Sequence, residues 1–220
     1  YNGTSWSTGG ALITCRESLM QGSGTQNAGL VTGGGNTGGS VTSTEEYNGS
    51  SWSEGGTLPE ERGIGGQTGT QNASTIFGGQ NPSIIFSSND YDGTSWAATG
   101  NMLVARRGGK GGGTQNSAIA GPGIDGSSTK IACVEEYSAV CSTTMCNAFG
   151  AWSSGANLIQ SRVGNSGGTG TQNAGLFVGG GLPSPGGPST CVEEYDGSTW
   201  TTGGSLIKCR NLLAAVGTQD

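Results

Sequence analysis

An arginine follows every tryptophan of this chain by ten residues: Arg16, Arg62, Arg106, Arg162 and Arg210 stand behind Trp6, Trp52, Trp96, Trp152 and Trp200. A guanidinium is a planar fork of donors, suited to bidentate binding of a carboxylate or phosphate. Two chemistries follow. Each arginine could bind an anionic ligand, or each could pair across neighbouring repeats with a glutamate of the doublets Glu45-Glu46, Glu135-Glu136 and Glu193-Glu194. Arg107 and these five make up six of only nine cations. The basic residues thus follow the repeat, and we expect structural pairing.

The six cysteines are the other reactive set. Cys15 and Cys209 each precede a repeat arginine, Cys133 and Cys191 each lie four residues before a tyrosine, and Cys141 and Cys146 fall between Ser138 and Gly150. Abundant Ser, Thr, Asn and Gly with few charges suit an oxidising, extracellular setting. Disulfides are therefore expected, and their pairing stays open. Cys15 with Cys209 requires a closed ring and Cys141 with Cys146 would pin an inserted loop. Cys191 with Cys209 competes, because Cys133 and Cys191 look too far apart for a direct bridge. With no histidine and no Cys-x-x-Cys, zinc is the weaker reading. Lack of histidine also removes Ser-His and Cys-His nucleophile pairs. A carboxylate pair remains formally open for hydrolysis, but the glutamates recur repeat by repeat as structural residues do. The run 108–114 is glycine-rich without a helix after it, so it lacks the geometry of a phosphate loop. We expect no enzyme activity and no cofactor.

These residues are positioned by repeats. Tyr-Asn/Asp-Gly-x-x-Trp occurs at Tyr1–Trp6, Tyr47–Trp52, Tyr91–Trp96 and Tyr195–Trp200, and a copy from Tyr137 to Trp152 is split by an insertion. Gly-Thr-Gln-Asn recurs at 24–27, 69–72, 113–116 and 170–173, and the chain stops on Gly217-Thr218-Gln219-Asp220. An apolar residue stands six after each tryptophan: Leu12, Leu58, Met102, Leu158 and Leu206. The Asn-Gly and Asp-Gly pairs predict two-residue hairpin turns, and Tyr and Trp are strand residues. Four strands per repeat without helical periodicity predict an all-β propeller. Strand counting gives repeats at about 7–52, 53–96, 97–152 and 153–200, plus a composite last blade from 201–220 and 1–6. Five four-stranded antiparallel blades in a single domain is the expectation, with a larger propeller as the alternative.

Arg-x-Gly, a β run ending in Gly-Gly, then Glu-x-Tyr-Asn/Asp and a Trp resemble the kelch repeat over essentially the whole chain. The run Gly-Thr-Gln-Asn-Ala-Gly-Leu, followed by Glu-Glu-Tyr-Asn-Gly-Ser-Ser-Trp, also resembles arrays in large bacterial and phage surface or tail-associated proteins. Gly121-Pro122-Gly123 and Asn89-Asp90 depart from the kelch pattern. The kelch class includes copper radical oxidases resembling galactose oxidase, whose copper site needs histidines that this chain lacks.

Net charge is −6 without a basic run. That argues against nucleic acid, and no apolar run is long enough for a membrane span. The chain starts inside a repeat motif without Met, so a processed product or a piece of something longer is expected. Asn2, Asn48 and Asn72 fit the glycosylation pattern, though Asn2 and Asn48 also serve as turn residues. The expected function is an extracellular or virion-surface recognition or adhesion module for glycan or protein. A structural subunit contacting its neighbours in a particle or fibre is the alternative. Specificity is expected in the least repeat-like segments. On one face these are 33–41, 80–83, 121–129 and 179–189. On the other is the 138–150 insertion with Ser138, Cys141, Met145, Cys146, Asn147 and Phe149.

Overall fold

The computed structural model describes residues 3–17, 21–139, 150–162, 166–183 and 186–219. Among these the chain has no helix, and four sheets of four antiparallel strands follow one another along it. The first sheet runs Ser23–Thr25, Ala28–Thr32, Thr44–Tyr47, Trp52–Glu54, and the second Gly66–Gly69, Ser74–Phe77, Ser88–Tyr91, Trp96–Thr99. The third is Gly111–Thr114, Ser117–Ala120, Glu135–Ser138, Ala151–Ser154, and the fourth Gly167–Thr171, Ala174–Val178, Val192–Tyr195, Trp200–Thr202. The first strands of successive sheets pack side by side, a propeller-like arrangement. Glycine permits this approach: a Cβ on Gly112 would stand 2.8 Å from the carbonyl carbon of Thr169 in the next sheet.

Each repeat's aromatic pair closes its outer hairpin, Tyr47 facing Trp52, Tyr91 facing Trp96, Tyr137 facing Trp152 and Tyr195 facing Trp200. In the three uninterrupted hairpins the connection has four residues, not the two expected. Only its glycine takes positive φ, and the Asn or Asp side chain caps the loop instead of supplying a second such residue. In the second sheet Asp92 Oδ1 accepts from the Thr94 and Ser95 amides at 2.9 and 2.8 Å. Those bonds hold the exposed Asp92 carboxyl below the usual carboxylate range.

The core lies between sheets. Leu30 of the first sheet meets Leu58, Ile76, Tyr91 and Trp96; Phe77 of the second meets Met102, Tyr137 and Trp152; Ile119 of the third meets Leu158, Tyr195 and Trp200. Leu58, Met102 and Leu158, each six after its tryptophan, are thus wedges between neighbouring sheets, whereas Leu12 and Leu206 are only partly buried. Full burial of one such side chain contributes about 2 kcal/mol.

The composite blade is not formed as a sheet among the described residues. Trp6 is 84% exposed. Arg210 bridges to Ser189, and further on Gly217 O accepts from Thr169 Oγ1 at 2.6 Å, so 210–217 runs beside the fourth sheet without becoming a strand of it.

Candidate functional site

Each described repeat arginine except Arg210 is buried to donate along its own repeat. Nη1 of Arg16 bridges the carbonyls of Gly33 and Ser43 at 2.7 and 2.8 Å. Arg62 bridges Gly78 and Ser87, Arg106 bridges Gly121 and Cys133, and Arg162 bridges Gly179 and Cys191. Nη2 meets the first glutamate of the doublet: Arg16 to Glu45 at 2.7 Å, Arg162 to Glu193 at 2.6 Å, and Arg106 to Glu135. The expected pairing partner was therefore right, but the pair lies within a repeat and not between neighbours. The arginine sits before the first strand, and two further strands fold back to bring the third beneath it. Burial alone would raise the Glu45 carboxyl; Arg16 and the amides of Ile13 and Thr14 outweigh it and leave the carboxyl below its ordinary range. Arg210, by contrast, is exposed.

The second sheet departs at Asn89. Arg62 Nη2 reaches Asn89 Oδ1 at 3.0 Å and takes its carboxylate from Glu60 at 2.5 Å. Asn89 is too short to serve Arg62 Nε, which is buried without a partner. Desolvation lowers the Arg62 pKa, and Glu60 only partly offsets it.

Contacts between repeats use the second acid of each doublet. Tyr91 OH donates to Glu46 at 2.5 Å, Tyr137 OH to Asp90 at 3.2 Å, and Tyr195 OH to Glu136. Burial first, then the adjacent carboxylates, push these three phenols up to about 12. The glutamine of Gly-Thr-Gln-Asn adds a strap: Gln71 Nε2 donates to Gly29 O and Tyr47 O of the preceding sheet at 3.1 and 2.8 Å, and Gln115 repeats this on Ser74 O and Tyr91 O. The Gly-Gly pair links forward, Gly34 N donating to Arg62 O and Gly79 N to Arg106 O. Both residues of each pair take positive φ, 59° and 93° at Gly33 and Gly34. Pro122 replaces the second glycine in the third sheet and has no amide to donate.

The expected bridges among Cys15, Cys133, Cys191 and Cys209 are not formed: all four are free thiols. Cys133 Sγ accepts from Arg106 Nη2 at 3.2 Å instead. Cys133 and Cys191 are held by the arginine fork of two different repeats, and Cys15 and Cys209 are exposed in two different lead-in segments. Of the inserted loop, Ser138 is exposed at the end of its strand; Cys141, Met145, Cys146, Asn147 and Phe149 lie outside the described residues. Among the described residues no three His, Cys, Asp or Glu side chains group as metal ligands.

A cleft of about 410 Å³ opens on the face carrying the 33–41 and 80–83 loops, between the first and second sheets. Its walls are two small hairpins, Gly35–Asn36 with Gly39–Ser40 and Gln80–Asn81 with Ser83–Ile84, and its floor is Gly63 and Ile64. Residues 83–84 turn back onto 80–81 as the second hairpin, and the third strand of that sheet begins only at Ser88. Gln80 is fixed, its Oε1 taking Arg107 Nη1 and its Nε2 donating to Pro82 O, both at 2.8 Å. Among the described residues the side chains of Glu17, Ser40 and Asn81 have no hydrogen-bond partner. Ile64 sits at φ 56°, where an isoleucine is strained. The same position two after the arginine has φ 70° at Gly108 and 54° at Leu212, so the repeat imposes the backbone and the chain has placed an apolar side chain on it. Sequence reading reached Asn36, Ser40, Asn81 and Pro82 through their loops and missed Glu17 and Ile64. The position two after the repeat arginine reads Ser18, Ile64, Gly108, Gly164 and Leu212, so the sequence carried no signal that singles out Ile64.

No family model and no curated protein matches the sequence. Solved structures do match, 161 chains in all. One, described as "Structure of YjhT", is 13% identical, with 91% of this chain and 74% of that chain covered at a TM-score of 0.71. At that identity the likeness speaks to fold alone: this chain has a β-propeller-like all-β fold.

Proposed function

We propose that the chain is a non-catalytic recognition module whose ligand docks on the face bearing the 33–41 and 80–83 loops. One observation carries this reading: a pre-formed cleft on that face, lined by side chains without partners, on a scaffold whose repeated charges are consumed internally. Ligand pockets of about 300–1,000 Å³ with a few convergent polar groups are the usual form of small-molecule sites. Five kelch-like blades, with the last built from both termini, is our reading of the complete ring, and an extracellular or virion surface is its setting. The open cleft carries a single titratable group, Glu17, which fits binding better than acid–base chemistry. Probing the intact chain, multimerised, on an array of glycans and by interferometry against cell-surface proteins tests the reading. Retention of a defined ligand set supports it, and no retention on either platform contradicts it.

A second reading, a subunit of a larger particle, is favoured by a different feature. The residue seven after a tryptophan is apolar and exposed in four lead-in segments: Ile13 53%, Leu103 58%, Ile159 62% and Ile207 101%. A recurring exposed apolar position suits contact between proteins. Light scattering over a concentration series separates the two, since a particle subunit grows in mass with concentration and a recognition module does not.

A further inference from the structure

We infer that the cleft between the first and second sheets binds the end of a neutral saccharide, an inference that rests on the recognition reading above. A sugar presents adjacent hydroxyls, each both donor and acceptor, around a ring whose C–H face is apolar. The cleft matches both features. Asn81 and Ser40 offer paired donor and acceptor groups on facing hairpins, and Glu17 offers a carboxylate that can accept from two neighbouring hydroxyls. Ile64 and Pro82 supply an apolar strip for the ring face. Gln80, tied to Arg107 and to Pro82 O, holds its hairpin in one conformation, which reduces the ordering that binding would otherwise require.

Charge decides between classes of sugar. The lining has no cation and one carboxylate, on a chain of net charge −6. Arg107 lines no part of the cleft, and its Nη1 donates to Gln80 Oε1. Sialylated, uronic or sulfated sugars would meet Glu17 without a compensating charge, so neutral hexoses and N-acetylhexosamines are the ligands. Ile64 gives an internal control. The backbone there favours glycine, so a purely structural position would gain from glycine, whereas a ligand platform would lose.

The test is amide NMR of the full chain titrated with neutral and anionic oligosaccharides, alongside Asn81→Ala, Glu17→Gln, Ile64→Gly and the opposite-face control Ser198→Ala. A neutral sugar should shift the amides of Gly35, Ile64 and Asn81. Each of the first three variants should weaken that binding about five- to tenfold, the loss of one or two hydrogen bonds or an apolar contact. Ile64→Gly should do so at unchanged or raised melting temperature, and Ser198→Ala should bind as the parent does. Binding that the cleft variants leave untouched overturns the cleft while sparing the recognition reading. Preference for anionic sugars, or no shift with any sugar at millimolar concentration, overturns the saccharide assignment. Failure of the recognition reading itself is separate, seen as concentration-dependent assembly with no ligand retained on arrays or protein surfaces.

Discussion

Removing Glu60 should destabilise the protein by about 2–3 kcal/mol, and a glutamate at position 89 should restore what was lost. The magnitude comes from the burial of the two partners. Arg62 is fully buried and its only carboxylate among the described residues is Glu60, whose side chain is 46% exposed. Breaking a fully buried pair costs about 3–5 kcal/mol because a charge is left uncompensated. Exposure of Glu60 weakens the pair through solvent screening, which places the loss below that range. In the other three sheets the carboxylate comes from the third strand, and Asn89 occupies the equivalent register opposite Ile76. A glutamate there would reach Arg62 Nε as well as Nη2. Nε is now unpartnered, a deficit worth about 1–3 kcal/mol in a buried donor. Asn89→Glu in the Glu60→Ala background should therefore return stability to the parent level or above. In the parent it should help little, since two carboxylates would crowd one guanidinium beside Asp90. Urea unfolding of the four proteins at pH 7, read as a double-mutant cycle, gives the coupling. A Glu60→Ala loss under 0.5 kcal/mol, or no rescue by Asn89→Glu, refutes the reasoning.

Three further outcomes rest on the contacts between repeats. Tyr91, Tyr137 and Tyr195 have folded pKa values of about 12, above the ordinary 10, so their contribution is fully present below pH 10 and lost as pH rises toward 12. Ultraviolet phenolate titration should show a group of tyrosines ionising near 12 together with alkaline unfolding. Asp90 follows the same sign at lower pH: burial raises its pKa above 3.8, so its charge costs stability above the folded pKa and costs nothing below 3.8. Asp90→Asn should accordingly be neutral or stabilising at pH 7, with the difference vanishing in acid melts. Gln71→Ala removes two bonds to carbonyls of the preceding sheet, and about 1–2 kcal/mol should be lost, with faster hydrogen exchange confined to the first and second sheets.

The repeat and its strands were legible because their markers answer local backbone demands. The Gly-Gly pairs meet positive φ, the capped Asn-Gly and Asp-Gly loops set the outer hairpins, and Leu58, Met102 and Leu158 wedge the sheets. Pairing within the repeat was not legible: Glu45 is 17 residues before Arg62 and 29 after Arg16, and only folding of three strands makes the farther arginine the partner. Free cysteines were missed because repeat equivalence places two residues in the same local setting of different sheets, which separates them. Much of the cleft looked like ordinary loop composition. Asn36, Ser40 and Asn81 gain meaning only when two hairpins from successive repeats face each other across Ile64, and nothing in either repeat alone announces that meeting.

A crystal structure of the intact chain soaked with a neutral oligosaccharide retained on the array locates the ligand without inference. The ligand is predicted between the two small hairpins, with hydroxyls within hydrogen-bond distance of Asn81, Ser40 or Glu17 and a ring face against Ile64. Ligand bound instead on the opposite face, around Ser198 and the other loops of the outer hairpins, contradicts that assignment.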